Sequence, residues 1–583
     1  MTTVTDTYML LRAFTDELVR CGMRAACTSP GSRSSPLVLS LARDQRLRCY
    51  SHIDERCSGF FALGMAKATG LPVAVTCTSG TAAAGLAGAV IEAHEARVPL
   101  LVLTADRPAE LRENGAGQAI DQIKMFTAAK WFFEVSVHDA GPEQLRWIRT
   151  LACRAFWTAL DGSPGAVHLN FPLREPLVGE FELPEDGTGR PQARPYLARY
   201  AAAGGGGPAG DRVRELVAGS RRGVLVAGRH ERDTPLGTAA ARFAARAGWP
   251  LLADPLSGAR RGPAAVAHYD ALLREPHFAA AAVPDLVLRV GDLPVSKPLR
   301  TWLAGIGAPQ ATLDPEGAWQ DPSAVLSEVL ALDPARTLLE LSSGPAAPPP
   351  EEGWLERWLS ADRLASQAIL AEIGGDTLSE PAVAAELGML LAQEATLFVA
   401  SSMPVRDIET FWPAREDPPR VLCNRGANGI DGTVSSAFGV AAAQQGPVVL
   451  LIGDVALAHD IGGLIAAGRL GLSLTIVLIQ NDGGGIFDFL PLSRTSLARV
   501  RADEDEDIYT RHVLTPTGLD FERACSLYGL SHERPAGMRE FRAALERSLS
   551  GPGASMIEVG CTREENVALH GRVWKAVSRE LRP

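Results

Sequence analysis

Short, unbroken apolar runs recur along the chain, each followed by a cluster of glycine, serine or aspartate and then by residues at helical spacing. Pro72–Cys77 precedes Ser79–Gly80–Thr81 and an alanine-rich helical stretch, and Pro99–Thr104 runs into Asp106. Gly223–Ala227 and Asp285–Val290 repeat the pattern, the second ending in Gly291–Asp292. Thr396–Ala400, Val448–Ile452 and Leu474–Ile479 repeat it again. Runs that lack polar alternation and are separated by helices predict strands buried on both faces, and therefore parallel sheets covered on each side. Right-handed crossovers then gather the polar turns at the carboxyl ends of the strands, where such sheets bind ligands.

Two stretches interrupt the pattern. Residues 201–210 (AAAGGGGPAG) and 342–352 (SSGPAAPPPEE) mix flexible glycine with stiff proline and read as linkers. They predict an α/β protein of three doubly wound parallel-sheet domains in series, with boundaries at 1–195, 196–350 and 351–583. No apolar run approaches the roughly 20 residues of a membrane helix. The start of the chain also lacks the basic and apolar regions of a secretion signal. The expectation is a cytoplasmic protein without membrane insertion.

Composition refines this only a little. With 57 Lys and Arg against 68 Asp and Glu, the net charge is −11, which argues against nucleic-acid binding through a basic face. The nine cysteines form no CxxC pair, so neither a zinc ribbon nor a disulfide framework is indicated. They read as reduced thiols acting as small buried hydrophobes.

Residues 451–487 hold the densest chemistry. A strand ends in Gly453–Asp454, helical spacing follows over Ile461–Leu470, and a second strand runs into Asn481–Asp482–Gly483–Gly484–Gly485. Asp454 and Asn481 then stand at the ends of neighbouring strands, both offering oxygen to a hard cation such as Mg2+. The glycines let the backbone approach a diphosphate. In this arrangement the chain resembles the thiamin diphosphate-dependent enzymes, with Gln480–Asn481 in place of their usual Asn-Asn pair. A second matching segment is Ser51–His52–Ile53–Asp54–Glu55–Arg56.

Further motifs narrow the resemblance. They are Ser29–Pro30–Gly31–Ser32–Arg33–Ser34–Ser35–Pro36, Thr104–Ala105–Asp106–Arg107–Pro108, Gln118, Ser296–Lys297–Pro298, Ser402–Met403–Pro404–Val405–Arg406–Asp407, and the run from Asn424 to Gly432 (NRGANGIDG). With Gly485–Ile486–Phe487 they are similar, over essentially the whole chain, to a family of carboligases of the menaquinone pathway.

That resemblance implies the thiamin diphosphate-binding fold and a defined reaction. 2-Oxoglutarate loses carbon dioxide, and the succinyl fragment adds in a 1,4 sense to isochorismate, with the cofactor as electron sink. Glu55 is the implied catalytic acid, hydrogen-bonded to N1′ of the aminopyrimidine. Cofactor contacts are implied for Glu55, Pro30, Ser79, Ile430, Gly453, Asp454, Val455, Asn481, Gly484 and Ile486. Asp454, Asn481 and Gly483 are the implied ligands of Mg2+, or of Mn2+ in its place. Substrate contacts are implied for Ser32, Arg33, Arg107, Gln118, Lys297, Ser402, Arg406, Arg425, Ile486 and Phe487. The basic ones suit dicarboxylates, because guanidinium forks pair with carboxylates. His52, His94 and His459 are expected to be structural. In this class the two cofactor-binding domains of one site come from different chains, so a homodimer or homotetramer is implied. The competing readings are another thiamin diphosphate 2-oxoacid carboligase or decarboxylase, and a non-catalytic nucleotide-binding protein.

Overall fold

The computed structural model describes residues 3–136, 139–199, 207–230, 235–344, 349–495 and 507–582. Among these residues seventeen strands form three sheets in which every pairing is parallel. The first contains β1 (Ala25–Thr28), β2 (Arg48–Ser51), β3 (Val73–Cys77), β4 (Leu100–Asp106), β5 (Trp131–Glu134) and β6 (Ala166–Pro172), in the order β2-β1-β3-β4-β6-β5. The second contains β7 (Gly223–Ala227), β8 (Leu251–Ala253), β9 (Leu286–Val290), β10 (Gln310–Leu313) and β11 (Glu328–Leu330), in the order β11-β10-β9-β7-β8. The third contains β12 (Thr396–Val399), β13 (Arg420–Leu422), β14 (Val448–Gly453), β15 (Leu474–Gln480), β16 (Ser531–Glu533) and β17 (Ala554–Gly560), in the order β13-β12-β14-β15-β17-β16.

The first and third sheets therefore share one topology. In each, the order reverses between the first and third strands, which opens a crevice at their carboxyl ends. In the first sheet that crevice lies after β1 and β3, and in the third after β12 and β14. The central strands are buried along their whole length because helices cover both faces; β3 and β4 contain no exposed residue.

Packing divides the chain into two compact units. One comprises Met1–Ala202, Asn424–Gln445 and His459–Leu472; the other comprises Ala203–Cys423, Gly446–Ala458 and Ser473–Pro583. In the first unit the helix Glu55–Thr69 begins at Asp54, whose side chain accepts from the Arg56 amide, and ends at Gly70 in the left-handed region with φ 69°. The helix Thr433–Ala443 lies against it almost backbone to backbone. A Cβ on Gly64 would stand 2.0 Å from the Ser436 carbonyl oxygen, and one on Gly439 would stand 2.1 Å from that of Phe61. Larger residues at these positions would force the helices apart. In the second unit one apolar core runs from Val224 and Leu299 through Trp354 and Trp358 to Val449, Val477 and Val573.

Of the two expected linkers, residues 201–206 and 345–348 lie outside the described residues. Residues 349–352 carry no helix or strand, as expected of a linker, but the ends of both stretches correct the expectation. Pro208–Gly219 is a helix with its proline in the first turn, where the missing N–H costs nothing, and Ser342 and Ser343 close the helix Pro334–Ser343. Seven of the nine cysteines are buried and all are free thiols. Among the described residues no helix is long and apolar enough to cross a membrane.

Candidate active site

At the carboxyl edge of the first sheet, the turns after β1, β3 and β4 bring Arg33, Ser79 and Arg107 together with Gln118. Arg107 donates to Ser79 Oγ through one nitrogen and to Gln118 Oε1 at 3.3 Å through another, while Ser79 Oγ donates to the Gln118 carbonyl at 2.8 Å. Arg33 is buried, held by the Leu173 carbonyl at 2.9 Å and by Glu175 at 3.2 Å. Burial and the nearby charge of Arg33 both push the pKa of Arg107 down, as expected of two guanidiniums that share a pocket. The Ser79–Gly80 turn is fixed from behind: Gln122 accepts from the Gly80 amide at 2.9 Å and donates to Asn170 at 2.9 Å. Pro30 and Ser32 are exposed on the turn after β1. That turn sits tightly over β3, since a Cβ on Gly31 would stand 2.4 Å from Thr78 Cβ.

Glu55 is the first residue of the helix Glu55–Thr69 and is half-buried. Among the described residues its carboxylate makes no hydrogen bond or ion pair, and its charge is one cause of the upward shift of the buried Cys77 thiol, after burial itself. The turn containing Arg425 and Ile430 belongs to the same unit. Glu92 clamps it, accepting from the amides of Gly426 at 2.9 Å and Ala427 at 2.7 Å, while buried Lys67 stands 3.6 Å from the same carboxylate. Ile430 is half-buried, and its carbonyl accepts from Thr433 Oγ1.

The second unit gathers the opposite charge. Asp454 is 1% exposed; its Oδ1 accepts from the Val455 amide and its Oδ2 from the Gly483 amide, both at 2.8 Å. Burial raises its pKa to about 6 against the pull of those two amides. The strand expected to end in Gly453–Asp454 stops at Gly453, and Asp454 is the first residue of the helix Asp454–His459. Asn481, at the end of β15, donates from Nδ2 to Glu380 Oε1 at 2.8 Å, and its Oδ1 is buried with no hydrogen-bond partner. Gly483 has φ +129°, and a Cβ there would stand 2.7 Å from the Leu514 carbonyl oxygen, so only glycine fits. The Gly484 amide donates to that same oxygen at 2.7 Å. Ile486 and Phe487 lie in the short helical turn Gly485–Phe489, with Phe487 packed on Tyr509 and Leu514. A buried carboxylate beside an orphaned amide oxygen and a glycine cradle is a donor set that fits a hard divalent cation carrying a phosphate.

Ser402, Arg406 and Lys297 also belong to the second unit. Ser402 has φ 76° and ψ −134°, a strained backbone of the kind that concentrates at functional sites, and its carbonyl accepts from Arg406 one turn later. Lys297 is exposed at the start of the helix Lys297–Gly305. Asp270 ties the two segments together, accepting from Ser296 at 2.6 Å and from Thr410 at 3.3 Å.

Several supporting residues carry no motif. Glu380 reads in the sequence as an ordinary charge at a helix start, yet it is buried, with its pKa pushed up to about 8 by burial and by the charge of Asp407. Arg563 braces the glycine loop, donating to the Asn481 carbonyl at 2.9 Å and to Asp488 at 3.2 Å. Gln122 has no signal beyond lying near Gln118.

These features define a class, the thiamine pyrophosphate enzymes. Residues 10–125 match the family described as "Thiamine pyrophosphate enzyme, N-terminal TPP binding domain", residues 198–399 match "Middle domain of thiamine pyrophosphate", and residues 405–559 match "Thiamine pyrophosphate enzyme, C-terminal TPP binding domain". Among curated proteins the chain is similar to the 2-succinyl-5-enolpyruvyl-6-hydroxy-3-cyclohexene-1-carboxylate synthases of Geobacillus kaustophilus (42% identity, 98% of this chain and 97% of the relative) and Chloroflexus aurantiacus (40%, 98% and 96%). The synthase of Listeria monocytogenes is 38% identical, with 98% of both chains covered. The chain belongs to this synthase family of thiamine pyrophosphate enzymes.

Proposed function

We propose that the protein joins 2-oxoglutarate to isochorismate with loss of carbon dioxide, giving 2-succinyl-5-enolpyruvyl-6-hydroxy-3-cyclohexene-1-carboxylate for menaquinone synthesis. The observation that carries this reading is Arg107, hydrogen-bonded to Ser79 and Gln118 at one sheet edge, with the charge of the buried Arg33 beside it. Both substrates are dicarboxylates, and closely spaced guanidiniums favour bidentate binding of such groups.

When bound, thiamin diphosphate supplies an acidic thiazolium carbon and an electron sink. In this reading the chain does the rest. Glu55 holds a proton at N1′ of the aminopyrimidine. Asp454, Asn481 and Gly483 would hold Mg2+, while Pro30, Ser79, Ile430, Gly453, Val455 and Gly484 would contact the cofactor. Arg33, Arg107, Lys297, Arg406 and Arg425 neutralise substrate carboxylates, helped by Ser32, Gln118 and Ser402. Ile486 and Phe487 exclude water from the reacting carbon, which limits premature protonation. Domains at 1–195, 196–350 and 351–583, assembly as a homodimer or homotetramer, and a cytoplasmic location belong to the same reading.

Incubation with thiamin diphosphate, Mg2+, 2-oxoglutarate and isochorismate tests it. The expected result is carbon dioxide release that depends on isochorismate, with the adduct seen by mass spectrometry. Turnover of pyruvate without turnover of 2-oxoglutarate would overturn it in favour of another 2-oxoacid carboligase.

A further inference from the structure

Glu380 occupies a costly place for a carboxyl group. As the first residue of the helix Glu380–Leu390 it is 3% exposed, and its Oε1 receives Nδ2 of Asn481 at 2.8 Å. Around it stand Cys561, with Sγ 3.9 Å from the same oxygen, and Asp407, which pairs with His570 at 2.9 Å. A charge that merely served the helix dipole would stay in solvent.

The partner explains the burial. An asparagine amide presents nitrogen and oxygen on nearly the same shape, and a half-turn of its last torsion exchanges them. In the arrangement seen, the nitrogen faces Glu380 and the buried Oδ1 is left without a partner. The flipped arrangement would set Oδ1 against Glu380 Oε1, oxygen against oxygen. Oε1 disfavours that flip in the ionised group, and in the neutral group when the proton sits on the other oxygen. Gly485 closes the amide in from another direction, since a Cβ there would stand 2.9 Å from Asn481 Nδ2.

We propose that Glu380 is a positioning residue that locks the Asn481 amide with its nitrogen inward, so that Oδ1 stays available as a ligand for a divalent cation. The inference rests on the reading of Asp454 and Asn481 as metal ligands.

The test is Mn2+ binding in the presence of thiamin diphosphate, followed by the electron paramagnetic resonance signal of the free ion. It compares wild type, Glu380→Ala, Glu380→Gln, Asn481→Ala and the double variant Glu380→Ala/Asn481→Ala. Loss of such a supporting partner weakens metal binding by about 10- to 100-fold, which is the expectation for Glu380→Ala. Glu380→Gln should lose less, because its amide accepts as well as donates and no longer discriminates between the two arrangements. In the Asn481→Ala background, Glu380→Ala should add less than about twofold, since its effect passes through Asn481. Wild-type affinity in Glu380→Ala overturns the proposal, and so does an equal loss in both backgrounds, which would mark general damage. If Glu380→Ala does not fold, Glu380→Leu, which fills similar space and can neither accept nor donate, carries the same cycle under the same criteria. A wild-type protein that binds no Mn2+ with thiamin diphosphate overturns the functional reading itself, and this inference with it.

Discussion

Directly behind the Ser79–Gly80 turn of the first unit stand neutral dipoles, Gln122, Asn170, Thr104 and His168, linked at 2.7–2.9 Å, and charge enters only beyond Asn170, which donates to the Asp106 carboxylate paired with Arg112. Behind the Asn481 turn of the second unit stand ionisable groups: Glu380, Asp407, His570 and Arg563. The contrast follows from the ligand each cluster suits. Arg107 is only half-buried and Gln118 is exposed, so water already solvates the charge and the backing needs only to orient it. Asp454 and Asn481 are buried, and acids kept in a low-dielectric pocket are held above their ordinary pKa until a cation compensates them.

Removing the anionic side of this comparison should have the largest effect. Asp454→Ala is expected to lose activity by more than about 100-fold, the upper range for partners that act on a metal only indirectly. It should also abolish the rise in melting temperature on adding Mg2+ and thiamin diphosphate, a stabilisation of about 2.7 kcal/mol at a hundred times Kd. A variant that melted with the wild-type ligand shift would break the assignment.

Glu55→Gln should come next. A positioned acid or base is worth about 10²- to 10⁴-fold, so turnover should fall by that order while calorimetry shows the cofactor still bound. Near-normal turnover would remove Glu55 from the mechanism. On the cationic side, a hydrogen bond to a charged group contributes about 1.5–3 kcal/mol. Arg107→Ala should therefore lower kcat/KM for the dicarboxylates by roughly 10- to 100-fold. Arg107→Lys should recover only part of that, because an ammonium keeps the charge and not the fork. Full recovery with lysine would mean that charge alone matters there.

The strands of both units were legible because burial on two faces leaves continuous apolar runs. β7 coincides with its predicted bounds, and β14 and β15 each extend one residue beyond theirs. Their order was not legible, since pairing between β4 and β6 or between β15 and β17 joins residues far apart in the chain. The same distance hid the supports. Glu380 lies 101 positions from Asn481, and Asp407 lies 163 from His570, so no motif spacing could join them. The Gly453–Asp454 strand end and the Ser79–Gly80 turn were visible because their chemistry is local. The strain at Ser402 was not, because a serine before Met-Pro reads as an ordinary helix cap.

The smallest expected effect tests the two backings directly, through their histidines. His168 is buried against Phe126 and Phe132, and burial lowers its pKa from 6.5 to about 3. Burial also opposes a charge on His570, but the hydrogen bond and charge of Asp407 outweigh it, and the pKa is raised above 6.5. The two should thus respond to pH with opposite signs. Between pH 6.5 and 3 the unfolded chain protonates His168 while the folded chain does not, so its contribution to stability falls on acidification by about 1.4 kcal/mol per pH unit. The cost of His168→Gln should therefore shrink by roughly 2 kcal/mol between pH 7.5 and pH 5. The contribution of His570 is complete below pH 6.5 and is lost as pH rises through its higher folded value. His570→Gln should accordingly cost more at pH 6 than at pH 9 in urea unfolding. If both variants moved the same way with pH, the distinction between a neutral and an ionic backing would fail.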